Sequence, residues 1–175
     1  MKTIMRKLTF LILIFFNSFY LFACDCIWSG DFLTKAIKKE LIVKVKIIEH
    51  MQNDAYFNEK VVVEIIEIFK GVEDRKRIVV WGDDGALCRP YVDYFKKDKE
   101  YYLALNKTNN DYYQSNCGEY FLKIEEEKVI NDYIYNLQLP SVSNMDIKTF
   151  EIKLKENIIE RLEYERLLKE YQNKK

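Results

Sequence analysis

Two of the chain's four cysteines, Cys24 and Cys26, stand two residues apart directly behind a stretch that reads as an export signal, and the other two, Cys88 and Cys117, lie far downstream. In an exported chain an even number of cysteines reads as a disulfide framework. Two bridges would use all four thiols, and our reading is that both pin the start of the mature protein onto a small β-barrel.

The signal has the expected order of parts: Lys2, Arg6 and Lys7, then the apolar run Leu8 to Phe16, then Leu21-Phe22-Ala23 before the first cysteine. The 16 residues from Leu8 to Ala23 fall short of the roughly 20 apolar residues that a membrane-crossing helix needs. Cleavage after Ala23 makes Cys24 the first mature residue, by one of two routes. Ordinary secretion leaves four thiols. Leu21-Phe22-Ala23-Cys24 also resembles a bacterial lipoprotein signal, and lipidation of Cys24 would leave three. The even cysteine count favours ordinary secretion to the outside or the periplasm, with an outer-envelope lipoprotein as the alternative.

Loss of Lys2, Arg6 and Lys7 takes the 28 basic residues to 25 against 28 acidic ones, a net charge of −3. A near-neutral charge gives no reason to expect nucleic acid or another polyanion as partner. With five Gly and two Pro the mature chain is neither collagen-like nor disordered, and its length suits one domain with an appendage.

Residues Cys24 to Gly30 are expected to be extended, ending in the turn pair Ser29-Gly30. Asp31 then caps a short helix in which Phe32, Leu33, Ala36 and Ile37 recur at helical spacing. Five strands are expected over 41–47, 61–69, 77–81, 99–105 and 112–117, from β-branched or aromatic runs bounded by polar turns. His50 to Asn58 reads as a hairpin loop, and Gly82-Asp83-Asp84-Gly85 as a break after the third strand. Short strands without long helices between them indicate a mainly β fold, and a five-stranded Greek-key barrel hides its edges most economically. Beyond Phe121, residues 123–145 read as a linker with short helical turns over 131–139. Asp146 opens a C-terminal helix, 146–175, whose stripe Ile147, Phe150, Leu154, Ile158, Leu162 and Leu168 is expected to pack on the barrel.

Residues 24–122 resemble the family of tissue inhibitors of metalloproteinases and netrin-like (NTR) domains, secreted modules built on an OB-fold barrel. The resemblance rests on Cys24-Asp25-Cys26 at the cleavage point and Ile68-Phe69-Lys70-Gly71 at a strand end. Cys88 after the third strand, Tyr101-Tyr102-Leu103-Ala104 and Asn116-Cys117-Gly118 complete it. It implies an OB-fold and the bridges Cys24–Cys88 and Cys26–Cys117, each of which closes a loop long enough to contribute about 4 kcal/mol by itself. It also implies an inhibitory ridge formed by Cys24, Asp25 and Cys26. In the inhibitors the α-amine and carbonyl of the first cysteine chelate the catalytic zinc of a protease, and the next side chain enters the specificity pocket. Asp25 departs from the small or hydroxyl residue found there, because a carboxylate beside a protease's catalytic Glu is both desolvated and repelled.

Other candidate residues have plainer readings. The cysteine spacings are not those of a zinc site. His50 has no evident serine or cysteine partner and reads as a solvated loop residue. Asp83-Asp84 reads as a turn before a cation site. Tyr91, Tyr94, Phe95, Tyr112, Tyr113 and Tyr120 read as core and sheet surface before an aromatic binding face. Asn106-Lys107-Thr108 matches the glycosylation pattern, but the Lys-, Ile- and Asn-heavy composition and the signal suggest a bacterial source, where it would mean little. The expectation is therefore a non-enzymatic, cofactor-free binding module for an extracellular protein, with a zinc metalloprotease as the sharpest partner. The alternative is a structural or adhesion-type envelope lipoprotein that meets the membrane through Cys24.

Overall fold

The computed structural model describes residues 27–52, 58–83, 87–131 and 141–173. The export signal, Cys24-Asp25-Cys26, Asp84, and most of the helical turns expected over 131–139 lie outside them. Among the described residues no helix is long and apolar enough to cross a membrane.

Five strands close into a barrel: β1 (Leu41–Gln52), β2 (Asn58–Lys70), β3 (Arg77–Trp81), β4 (Glu100–Thr108) and β5 (Asp111–Tyr113). They neighbour one another in the order β1-β2-β3-β5-β4, and β4 returns to β1. Every contact is antiparallel except β3 with β5, where Val80 and Trp81 run parallel to Tyr112 and Tyr113. The fold is thus mainly β, with a closed, OB-like barrel, as the alternating and β-branched runs predict.

Val43, Val45, Ile47, Val61, Val63, Ile78, Val80, Tyr101, Leu103 and Leu105 fill the barrel. Their neighbours on β1 and β4, Ile42, Tyr102 and Ala104, point the other way into a second core beneath the helices. Both faces of β4 are therefore covered, and Tyr101 to Leu105 is buried without interruption.

Strand lengths differ from expectation. β1 reaches Gln52 and β2 starts at Asn58, so His50, expected in a loop, lies in a strand. β5 ends at Tyr113, well short of Cys117.

The larger difference is beyond Phe121. Residues expected to be linker form a hairpin, β6 (Phe121–Glu125) and β7 (Lys128–Ile130), and β6 joins β4 across Tyr101–Leu103. Its turn residues Glu126 and Glu127 both have positive φ, 48° and 60°, the geometry of a tight hairpin turn that Asn-Gly normally supplies. The chain then returns along β7, with the Val129 N–H on Met145 O at 2.9 Å and the Asn144 N–H on Val129 O at 2.7 Å.

The short N-terminal helix α1 (Phe32–Lys35) is capped by Asp31, which accepts from the Thr34 N–H at 3.0 Å. The C-terminal helix α2 (Ile147–Gln172) is capped by Asp146, which accepts from the Thr149 N–H at 2.9 Å. Phe150, Leu154 and Ile158 bury α2 against the barrel wall. The docked stripe ends there: Leu162 and Leu168, expected to continue it, are exposed.

Gly71 ends β2 at φ 90°, and a Cβ there would lie 2.4 Å from Glu40 O. Gly71→Ala combines backbone strain with a clash against main chain that cannot swing aside. An expected loss of about 2 kcal/mol is checked by urea unfolding of the two proteins side by side.

Candidate functional site: the cysteine rim of the barrel

Of the cysteines, Cys88 and Cys117 lie on segments that are hydrogen-bonded beside the first described residues of the chain. Ser29 donates its N–H to Cys117 O at 3.0 Å, Glu119 donates to Gly30 O at 3.1 Å, and Asn116 donates to Cys88 O at 2.9 Å. The N-terminal segment, the loop after β3 and the connection from β5 to β6 are thereby laced side by side. Gly118 permits the approach, since a Cβ there would stand 2.3 Å from Ser29 Oγ. The Ser29 and Tyr120 hydroxyls are 3.1 Å apart. Cys88 and Cys117 are both disulfide-bonded, and no cysteine among the described residues is free. Cys24, Asp25 and Cys26 lie outside those residues, and the described chain enters this rim at Ile27, which is 91% exposed.

Beneath the rim is a group that the sequence does not advertise. Glu119 is fully buried, and its Oε2 accepts from the N–H of Phe32 at 3.0 Å and of Val142 at 3.1 Å, while Oε1 accepts from the Ser141 hydroxyl. One carboxylate thus joins the first turn of α1 to the segment that leads into α2. Burial raises its pKa, and the hydrogen bonds from Ser141, Val142 and Phe32 oppose the rise without cancelling it. Two further polar atoms, Trp28 Nε1 and Gln114 Oε1, are buried without a hydrogen-bond partner.

His50 does not join the rim chemistry. Its Nε2 lies 3.1 Å from Val92 O and fastens β1 to the turn over Val92–Tyr94. Asp83 Oδ1 accepts from the Leu87 N–H at 2.8 Å. Among the described residues no cluster of His, Cys, Asp and Glu is placed to hold a metal.

The six aromatic residues separate. Phe95 and Tyr112 belong to the barrel interior and Tyr120 to the helix-side core. Tyr91 and Tyr94 are exposed and meet edge to face at 6.2 Å. Tyr113 lies under the Arg89 guanidinium at 4.6 Å. In the next strand Trp81 lies under Lys60 Nζ at 3.7 Å, and its indole N–H donates to Asp111 at 2.9 Å.

A second cluster that the sequence does not advertise forms around Tyr112 of β5. Glu73 accepts from Arg75 Nη2 at 2.7 Å and Nε at 2.9 Å, and from the Tyr112 hydroxyl at 2.7 Å. The Arg75 guanidinium holds the Glu73 carboxyl well below the usual carboxylate range, and burial with the Glu73 bond pushes Tyr112 up to about 12. The only trace of it in the sequence is an acid and an arginine two residues apart.

Compared with models of known protein families and with curated proteins, the chain shows no match.

Proposed function

We propose that the chain is a secreted, disulfide-stabilised binding module of the TIMP and netrin-like kind, whose N-terminal ridge Cys24-Asp25-Cys26 contacts an extracellular protein. The observation that carries the reading is the rim itself. An OB-like barrel holds two disulfide-bonded cysteines, Cys88 and Cys117, on segments hydrogen-bonded beside the incoming N-terminal segment or to one another. Bridges from Cys24 to Cys88 and from Cys26 to Cys117 would make the first three mature residues a fixed ridge, where a chain start otherwise frays.

The partner class that suits such a ridge is a zinc metalloendopeptidase. A free Cys24 amine and its carbonyl form a five-membered chelate able to take the open position of a catalytic zinc held by the partner's own ligands. Asp25 weakens that fit, because its carboxylate loses water and faces the acidic catalytic residue. Asp25→Thr is therefore expected to lower the inhibition constant toward a susceptible metalloprotease by about 100-fold.

The test begins with intact mass and N-terminal sequence of the purified protein, with and without reduction, followed by peptide mapping of the bridges. An unmodified Cys24 and a gain of four protons on reduction are expected. Inhibition titrations then compare wild type with Asp25→Thr. Acyl chains on Cys24 would overturn the chelation mechanism and favour the envelope lipoprotein. A free Cys24 amine with no inhibition by either protein would overturn the protease as partner.

A further inference from the structure

The N-terminal segment is held to the body without help from the sulfurs. The Ser29 N–H donates to Cys117 O at 3.0 Å, Gly30 O accepts from the Glu119 N–H at 3.1 Å, and the Phe32 N–H donates to Glu119 Oε2 at 3.0 Å. Phe32 and Ala36 are wholly buried, and Phe32 meets Phe150 edge to face. Ile27, two residues before Ser29, is 91% exposed, so packing against the body ends between the two.

The sulfurs in turn serve no part of the body. Among the described residues neither core contains a cysteine. Cys88 and Cys117 lie outside the strands, in the loop after β3 and in the connection from β5 to β6. Barrel closure runs through the β1–β4 ladder, from Leu41 opposite Leu105 to Lys46 opposite Glu100. A cross-link between distant residues stabilises by restricting the unfolded chain, so its loss lowers stability without removing a native contact of the barrel.

We propose that the disulfides form a redox switch for the ridge alone: a dithiol reductant frees residues 24–27 while the barrel, α1 and α2 stay folded, and reoxidation restores the ridge. The switch rests on the reading of Cys24-Asp25-Cys26 as a ridge bridged to Cys88 and Cys117. At each bridge an attacking thiolate breaks the S–S bond. The bridge takes up two electrons and two protons and becomes two thiols, and the dithiol closes to its own disulfide. Cys88 and Cys117 are only half-buried, which leaves a small reductant a path to them. The freed residues have to be ordered again at every encounter with a partner, so binding through the ridge falls at least about 100-fold.

The test uses the purified, isotope-labelled mature protein, first oxidised and then held in dithiothreitol, with amide order parameters from nuclear magnetic resonance relaxation. In the oxidised protein residues 25–27, Ser29, Phe32 and Glu119 are all expected at about 0.85. In dithiothreitol residues 25–27 are expected to fall below about 0.6, with Ser29, Phe32 and Glu119 unchanged. Thermal unfolding should remain a single transition, lowered by roughly 10–20 °C, and removal of the reductant in air should restore the first pattern. Loss of order at Ser29, Phe32 and Glu119, or loss of the unfolding transition, means that the bridges hold the body and overturns the switch. A ridge that stays ordered in dithiothreitol does the same. Residues 25–27 already mobile in the oxidised protein overturn the switch together with the fixed ridge on which it stands. None of these outcomes depends on inhibition, so failure of the protease as partner is read separately, in the inhibition titrations.

Discussion

Glu119→Ala is expected to destabilise the protein by about 4 kcal/mol, a large fraction of the roughly 5–15 kcal/mol that keeps a domain folded. The truncation strands the N–H groups of Phe32 and Val142 and the Ser141 hydroxyl, and each buried group left without a partner costs about 1–3 kcal/mol. Glu119→Gln keeps an acceptor for the two N–H groups and offers an amide to the Ser141 oxygen, so it should recover most of the loss in urea unfolding. The same pair of proteins reports the pH dependence. Burial raises the folded pKa of Glu119 above its unfolded value, so from the unfolded pKa upward the folded state binds more protons than the unfolded one. This group's contribution to stability is then present at low pH and falls as pH rises from about 4.3 through the folded pKa. Stability of wild type relative to Glu119→Gln should decline over that interval. A constant difference, or one that grows in favour of wild type, contradicts the assigned environment.

Phe150→Ala should cost a comparable amount, about 3–5 kcal/mol for a buried phenylalanine, with damage confined to one side of the molecule. Phe150 is fully buried, edge to face with Phe32 at 5.6 Å and tilted against Tyr102 at 4.7 Å. It is the point where α1, α2 and the outer face of β4 converge. The barrel interior is a separate cluster that does not include it. Hydrogen exchange is expected to accelerate in α1 and α2 while the amides of β1, β2 and β3 remain protected. Uniform loss of protection would mean that the two cores unfold as one unit.

The barrel was legible because its strands are rich in residues that suit a half-buried pleat, such as Val61-Val62-Val63 and Ile78-Val79-Val80, with polar turns between them. The β6–β7 hairpin was not, because Glu126 and Glu127 occupy the left-handed turn positions at which glycine or asparagine would have announced a hairpin. The helical stripe was read one step too far. Periodicity identifies a face, but it does not mark where the surface beneath that face ends, so Leu162 and Leu168 look the same in sequence as Leu154 and Ile158. Of the rim, the cysteines were visible and Glu119 was not. A single acid between Gly118 and Tyr120 carries no pattern, and its role depends on Phe32 and Val142, brought to it from opposite ends of the chain.

That convergence bears on the order in which the molecule can be assembled. Barrel closure joins β1 to β4, and α1 finds its partners in Glu119, Phe150 and Asn157, all made long after it. A chain emerging from its N-terminus first holds α1 without these partners until residue 157 has appeared. Folding dominated by such distant contacts is slow, so α1 docks only after the segments that carry its partners are in place.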